Sequence, residues 1–423
     1  MLDREKSQLL TQVTGDAPMG QLMREYWIPV VRASRLRAGA APVRLTILGQ
    51  QLVAFRSPAG EVGVMDEACP HRGASMALAR NEPDGLRCIY HGWKIGADGM
   101  LRDAPTHPEH LPLARLRTRS HPVREQQGMV WTWLGKGKPP PFRELAFTGL
   151  DDDQVITATA VVKCNWLRPL ETLWDVFHSQ MLHHDTNRQI PFRGDNYFSN
   201  DGRTTDTGMK YDYPEMLVER TGYGFDLVNK DARKQTTGHF VLPFIQFHSI
   251  GPDPLEDKAL KISVPIDNET TLLWSVVFNR HGPLKDTGFG LTNLGRCADR
   301  DDLFNNLRHG AERSADTRWN QDRESMEQGE SFSGYAEAFP TLTLLAEDNF
   351  VLESQGAYDR SQEQLGPVDR ALVEGRRVLL DALQAYKAGS APQGRELDVP
   401  DVQAHYILED SPPSLASAGS DGQ

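Results

Sequence analysis

The chain is poor in cysteine and lacks long apolar runs, and both shortages bound what it can be. Only four cysteines occur in 423 residues, Cys69, Cys88, Cys164 and Cys297. That number argues against a disulfide framework and for a reducing compartment. Apolar stretches such as Phe240–Phe247 and Leu272–Phe278 are too short to span a bilayer. The N-terminus, Met-Leu-Asp-Arg-Glu-Lys, is charged where a secretory signal needs an apolar run, so a cytoplasmic protein is expected. A Gly-x-Gly-x-x-Gly fingerprint and a four-cysteine ferredoxin pattern are both missing, so nicotinamide and flavin chemistry belongs on another protein. With a formal net charge of −12, a nucleic-acid polyanion is an unsuitable partner.

What the chain does contain is Cys69-Pro-His71 and, after sixteen intervening residues, Cys88-Ile-Tyr-His91. Two thiolates and two imidazoles in this pairing suit a Rieske [2Fe-2S] cluster, with sulfur on one iron and nitrogen on the other. Zinc also accepts two cysteines and two histidines, but its sites usually pair like ligands, whereas each loop here carries one of each. A Rieske cluster moves one electron at a time, so redox work is implied. Gly73 and Gly92 would let the backbone turn tightly around the cluster, and Trp93 and Pro70 would shield it.

Residues 1–40 read as an N-terminal helical extension, with Asp16 as cap, Pro18 as first helical residue, and Leu22, Met23 and Tyr26 on one face. Period-two runs at Val43–Leu48, Gln51–Arg56, Glu61–Asp66 and Met129–Leu134, with a hairpin around Asp98-Gly99, point to an all-β domain over 41–138. Gly135-Lys-Gly-Lys-Pro-Pro-Pro141 reads as a linker. Beyond it, 145–392 reads as a larger α+β domain. Strands are expected at Val155–Lys163, Val241–Ile250 and Thr271–Phe278, and a long helix at Asp369–Ala388 with Leu372, Leu379, Leu380 and Leu383 on one stripe. Residues 393–423 read as a polar tail.

A second constellation follows the first strand of the large domain: Asp175, His178, His183 and His184. Asp175 and His178 share a face of an ideal helix, whereas His178 and His183 lie about 140° apart around it. Both histidines reach one ion only if the helix ends or distorts between them. A 2-His-1-carboxylate triad holds non-haem Fe(II) while leaving positions open, and Glu347-Asp348 is the candidate source of the carboxylate. His-rich helices are also often plain surface or core residues, which leaves a non-catalytic electron carrier with a ligand-binding domain as the competing reading.

At this point the sequence resembles the Rieske non-haem iron oxygenases, and within them the phthalate dioxygenase-like oxygenase (alpha) subunits. The resemblance rests on Pro18–Pro29, Cys69–Ser75, Cys88–Lys94, Asn165-Trp-Leu, Asp175 with His178 and His183, Glu347-Asp348, Glu353–Gly356 and Asp359–Gly366. It implies a helix-grip, START-like antiparallel sheet with helices for the catalytic domain. It also implies His178, His183 and Asp348 as ligands of a mononuclear iron, with His184 and Glu347 as runners-up. Asp175 would be the carboxylate that bridges a Rieske histidine of one subunit and an iron-ligating histidine of its neighbour. A separate NAD(P)H-dependent flavin and iron-sulfur reductase is implied as partner, and a homo-oligomer, trimer or hexamer.

Two features depart from the family pattern: the bulky run Glu171-Thr-Leu-Trp174 before Asp175, and His248 in a stretch usually kept apolar. Both bear on the substrate. Between Arg188 and Ile250, Arg193, Arg203, Lys210, Arg220, Arg233 and Lys234 alternate with aromatic residues, among them Phe192, Tyr197, Phe198, Tyr211, Tyr213, Tyr223, Phe225 and Phe240. Aromatic walls with one or two cations suit an aromatic carboxylate, phthalate- or benzoate-like. Ring dihydroxylation is the expected reaction, with monooxygenation such as O-demethylation of a methoxylated acid as the alternative.

Overall fold

Alternating apolar residues in the first third of the chain form strands close to where their period places them: Val43–Ile47, Gln50–Arg56, Val62–Asp66 and Met129–Trp133. The computed structural model describes residues 2–108, 116–189, 203–204, 210–211, 214–231, 234–249, 257–285, 301, 314–335, 344–356 and 359–408. A small sheet of Arg80–Glu82, Gly85–Arg87, Lys94–Ile95 and Leu101–Asp103 carries the second Cys-His loop between its second and third strands. The first Cys-His loop follows Val62–Asp66.

The N-terminal stretch departs from the expected extension. It holds two helices, Arg4–Thr11 and Pro18–Arg24, and a strand, Trp27–Arg32, that pairs antiparallel with Met129–Trp133. Pro18 does open the second helix, but Ala17 rather than Asp16 is its cap residue, with no side-chain bond. Leu10, Val13, Met19, Leu22 and Met23 are fully buried in a core shared with the larger domain. These helices pack on the long C-terminal helix, so they belong to the body of the protein.

The larger domain is built on an antiparallel sheet. Its path runs Val155–Val162, Thr271–Phe278, Lys258–Pro265, Ile245–His248, Lys234–Val241, Gly224–Lys230, Glu215–Arg220. The single strand expected at Val241–Ile250 is two, because Leu242-Pro243 turns the chain and proline has no N–H to continue a ladder. His405–Leu408 pairs with Lys234–Val241, so part of the expected polar tail is a sheet strand.

Helix Arg370–Lys387 lies where its leucine stripe places it, burying Val378, Leu379, Ala382 and Leu383. It packs on helix Leu167–Trp174, and the bulky run there has a structural reason. Trp174 is fully buried against Phe225 and Phe240, and its indole donates to Gln246 Oε1 at 2.9 Å. A Cβ on Gly375 would stand 2.5 Å from that indole. Glu171, one turn earlier, accepts from both Arg360 and Arg376, and Arg376 also reaches Glu363 at 2.7 Å. Burial would push the Glu171 carboxyl up, but the two guanidiniums hold it below its usual range.

The two domains are joined along a seam as well as by the linker. Leu48 and Gly49 donate backbone N–H groups to Pro265 and Ile266 at 2.9 and 2.7 Å, and Trp274 donates its indole N–H to Pro29 O at 3.2 Å. The substitution Gly375→Ala tests the helix packing. Alanine is the better helix former by about 1 kcal/mol, yet overpacking against Trp174 should win and destabilise the protein by about 1–3 kcal/mol. Urea denaturation would read this, and unchanged or raised stability would show that the indole can move aside.

Candidate metal centres

In the N-terminal site, two loops repeat one design. Gly73 N–H donates to Cys69 O at 2.8 Å and Gly92 N–H to Cys88 O at 3.0 Å. Both glycines take left-handed φ, +74° and +77°, which a side chain would resist. The turns bring the His71 and His91 rings to 4.4 Å between centroids. Cys69 and Cys88 are buried and unbridged. Trp93 is stacked on His71 at 4.5 Å, as a shield should be, and Pro70 is itself exposed.

The donor chemistry fits a cationic cluster. Burial, with the Cys88 thiol beside it, pushes the Cys69 thiol up, so two thiolates there need positive charge that the protein does not supply. Partial burial, followed by His71 and Arg72, holds His91 below its usual range and favours the neutral, ligating imidazole. His71 Nδ1 is buried without a hydrogen-bond partner. An iron-sulfur cluster bound by these four residues would answer each of these points.

In the larger domain, the geometric objection to joining His178 and His183 is met by a broken helix. Leu167–Trp174 stops at Asp175, which has extended backbone angles; His178–Met181 is a separate short helix, and another begins at His184. His183 sits in the turn between the last two. Asp175 Oδ1 accepts from the backbone of Phe177 at 2.8 Å and His178 at 3.4 Å, starting the short helix. Its carbonyl accepts from His178 Nδ1 at 2.6 Å, while Oδ2 stays 3.8 Å from that nitrogen.

Helix Leu344–Ser354 brings the carboxylates, and one position of rotation gives them different partners. Glu347, fully buried, accepts from His183 Nδ1 at 2.5 Å and from Thr186 Oγ1 at 2.7 Å. Asp348 faces the other side of the ring, with Oδ1 2.9 Å from His183 Nε2 and 3.4 Å from His178 Nε2. Despite these distances Oδ1 makes no hydrogen bond, because the three groups aim at a common point and not at each other. Ligand atoms of His178, His183 and Asp348 lie within 4.8 Å of one another, and these residues could hold a metal. Burial opposes charge on His183, but Asp348 and then Glu347 hold it up at about 10. Burial likewise opposes charge on Asp348, and His183 and His178 pull it well below the usual carboxylate range. A divalent ion would take the place of that shared proton.

His183 and Asp348 face a cavity of about 260 Å³, lined by sheet residues on the other side. Its apolar walls are aliphatic, including Leu173, Val176, Leu227, Ala259, Val277 and Leu345, and polar side chains are interspersed among them. Of the aromatic residues expected in its walls, Phe225 and Phe240 pack on Trp174 instead, while Phe192, Tyr197, Phe198, Tyr213 and the side chain of Tyr211 lie outside the described residues; among the described residues Tyr406 is the phenol or phenyl lining the cavity. Of the expected cations, Lys234 lines the cavity beside Asp231, 3.7 Å away, and Arg220 pairs on the surface with Glu374 and Asp381. Arg193 and Arg233 lie outside the described residues, as do the side chains of Arg203 and Lys210. His248 does line the cavity, which accounts for its place in an apolar run. Lys261, Ser275 and Tyr406 line it too and were not singled out from sequence.

Comparisons with known proteins agree with both centres. Residues 26–122 match the Rieske [2Fe-2S] domain family and residues 132–407 the family described as LigXa C-terminal domain like. The phthalate 4,5-dioxygenase oxygenase subunit of Pseudomonas putida is 34% identical, covering 96% of each chain. The 3-chlorobenzoate-3,4-dioxygenase oxygenase subunit of Comamonas testosteroni is 34% identical over 91% of this chain and 90% of that one. The 5,5'-dehydrodivanillate O-demethylase oxygenase subunit of a Sphingobium strain is 30% identical over 68% and 69%. Among solved structures, a variant of NdmA from Pseudomonas putida CBB5 with caffeine shares the fold, with a TM-score of 0.61, 17% identity and coverage of 94% of this chain and 100% of that one. These matches favour iron-sulfur over zinc and an enzyme over a bare electron carrier. With a Rieske domain in front and an open two-histidine, one-carboxylate cluster behind, the chain belongs to the Rieske non-haem iron oxygenases as a phthalate dioxygenase-like oxygenase subunit.

Proposed function

We propose that this oxygenase subunit hydroxylates an aromatic carboxylate with dioxygen, by ring dihydroxylation, using electrons from a separate NAD(P)H-dependent reductase. The observation that carries this reading is the convergence of His178, His183 and Asp348, with His183 and Asp348 at the wall of a cavity. Relatives similar over nearly the whole chain are named for phthalate and 3-chlorobenzoate, both aromatic acids. Cys69, His71, Cys88 and His91 would hold the cluster, and His178, His183 and Asp348 the ferrous ion. Once bound, that ion would supply open coordination positions for dioxygen beside the substrate, with further electrons drawn from the cluster.

The surrounding residues have separable tasks. Glu347 fixes the His183 tautomer by accepting the Nδ1–H hydrogen bond, leaving the Nε2 lone pair free for a metal, and the Asp175 carbonyl does the same for His178. The Asp175 carboxylate, partly exposed next to His178, is available to a second imidazole arriving from a neighbouring subunit. Ile89 and Tyr90, 61% and 57% exposed between Cys88 and His91, and Leu78 at 65% give the cluster end an apolar surface that supports such an approach. Among the described residues no helix is long and apolar enough to cross a membrane; with unbridged thiols, this supports a cytoplasmic setting for a trimer or hexamer.

Oxygen labelling tests the reaction. Two labelled atoms in a diol are expected; one labelled atom with formaldehyde released would favour O-demethylation, the activity named for the Sphingobium relative. Asp348→Ala should lower iron content by about one per chain while the Rieske absorption persists. Unchanged iron would remove the mononuclear site. Glu347→Gln keeps every proposed ligand, so its expected signature is a fall in ferrous affinity of about 10- to 100-fold, read by anaerobic chelator competition.

A further inference from the structure

The cavity holds a cation that the iron chemistry does not use. Lys261 stands on strand Lys258–Pro265, directly opposite Gln246 on one side and Ser275 on the other, so the three side chains share a face of the sheet. Gln246 is committed to Trp174 and to its neighbour's backbone. The Lys261 ammonium donates to Ser275 Oγ at 2.6 Å, and among the described residues no carboxylate forms an ion pair with it. Lys234, the other lysine lining the cavity, lies beside Asp231.

We propose that Lys261, with Ser275, is the residue pair that reads the substrate's carboxylate, and that the substrate is an aromatic acid carrying one such group. The inference deepens the proposed hydroxylation and rests on that reading for the identity of the cavity. An ammonium on the same sheet face as Leu227, Ala259 and Val277 is poorly placed unless an anion meets it. Burial pulls Lys261 down to about 8, with Asp348 pulling the other way, and an anion arriving beside it would favour the charged ammonium. The anion cannot be Asp348 in the working enzyme, where that carboxylate serves the metal. A substrate carboxylate fits, and with Lys234 matched by Asp231, these two lysines leave one positive charge to be met. The acid is thereby seated on the sheet wall, and the remainder of the ring is turned toward the helix wall that bears His183 and Asp348.

Anaerobic calorimetric titration of the intact oligomeric enzyme with benzoate, benzamide and phthalate tests this. Wild type should bind benzoate at least tenfold more tightly than benzamide and phthalate no more tightly than benzoate. Lys261→Met should weaken benzoate by roughly 10- to 100-fold, the worth of a charge-assisted hydrogen bond, and leave benzamide unchanged. Lys261→Arg should retain part of the preference. Equal binding of benzoate and benzamide by wild type, or a benzoate preference that survives Lys261→Met, overturns the assignment; phthalate binding tenfold tighter than benzoate overturns the single carboxylate. Rieske absorption and iron content report folding of each variant, and the wild-type comparison decides even where a variant fails. Loss of all oxygenated product with these binding preferences intact would count against the proposed reaction and not against Lys261.

Discussion

One imidazole held from both sides organises the rear half of this protein. His183 has Glu347 on Nδ1 and Asp348 beside Nε2, and the two carboxylates are sequence neighbours on one helix, about 100° apart around its axis. Consecutive residues can flank a ring in this way only if the helix is set at a fixed depth and rotation. Ala346 and Phe350 bury its inner face. Glu353 accepts from the Lys163 backbone at 3.0 Å and from the Trp319 indole at 3.1 Å, and Arg168 bonds to Gln355. The motif blocks Glu353–Gly356 and Asp359–Gly366 therefore have a positional reason: the first ties the carboxylate helix to the start of helix Leu167–Trp174, which leads into the histidine segment, and Arg360 and Glu363 from the second join the buried charge network around Glu171.

Much of both centres was legible because metal ligation demands particular side chains at short separations. Cys69, His71, Cys88 and His91 could be assigned before any strand was placed, and the 140° objection to His178 and His183 already required the helix break found at residues 175–183. The choice between Glu347 and Asp348 was not legible, since it depends on helix rotation, a tertiary quantity. Lys261 was hidden by the habit of strands: a lysine between apolar residues normally marks the solvent face, and only the stacked helices turn this face inward. Tyr406 was hidden by distance along the chain, its strand pairing with one about 170 residues earlier.

The two departures from the family pattern have different standing. Trp174 is a packing device, with Gly375 cleared to receive it and Gln246 placed to accept its N–H, so it shapes the cavity from behind. His248 is on the cavity surface itself, near the sheet residues that would meet a substrate. On the proposed reading, selectivity would lie chiefly with the strands and oxygen chemistry with the helix-borne ligands. Substitutions on one wall can alter which molecule enters without disturbing the ligands on the other.

The hydrogen bonds at the seam between Leu48-Gly49 and Pro265-Ile266, with an apolar core continuous across it, leave the front domain no hinge. A cluster mounted on a fixed arm cannot commute between a donor and an acceptor. In the proposed oligomer each electron would have to tunnel across whatever gap rigid assembly leaves, and the tempo of reduction would be a property of how copies are docked rather than of how any one copy flexes.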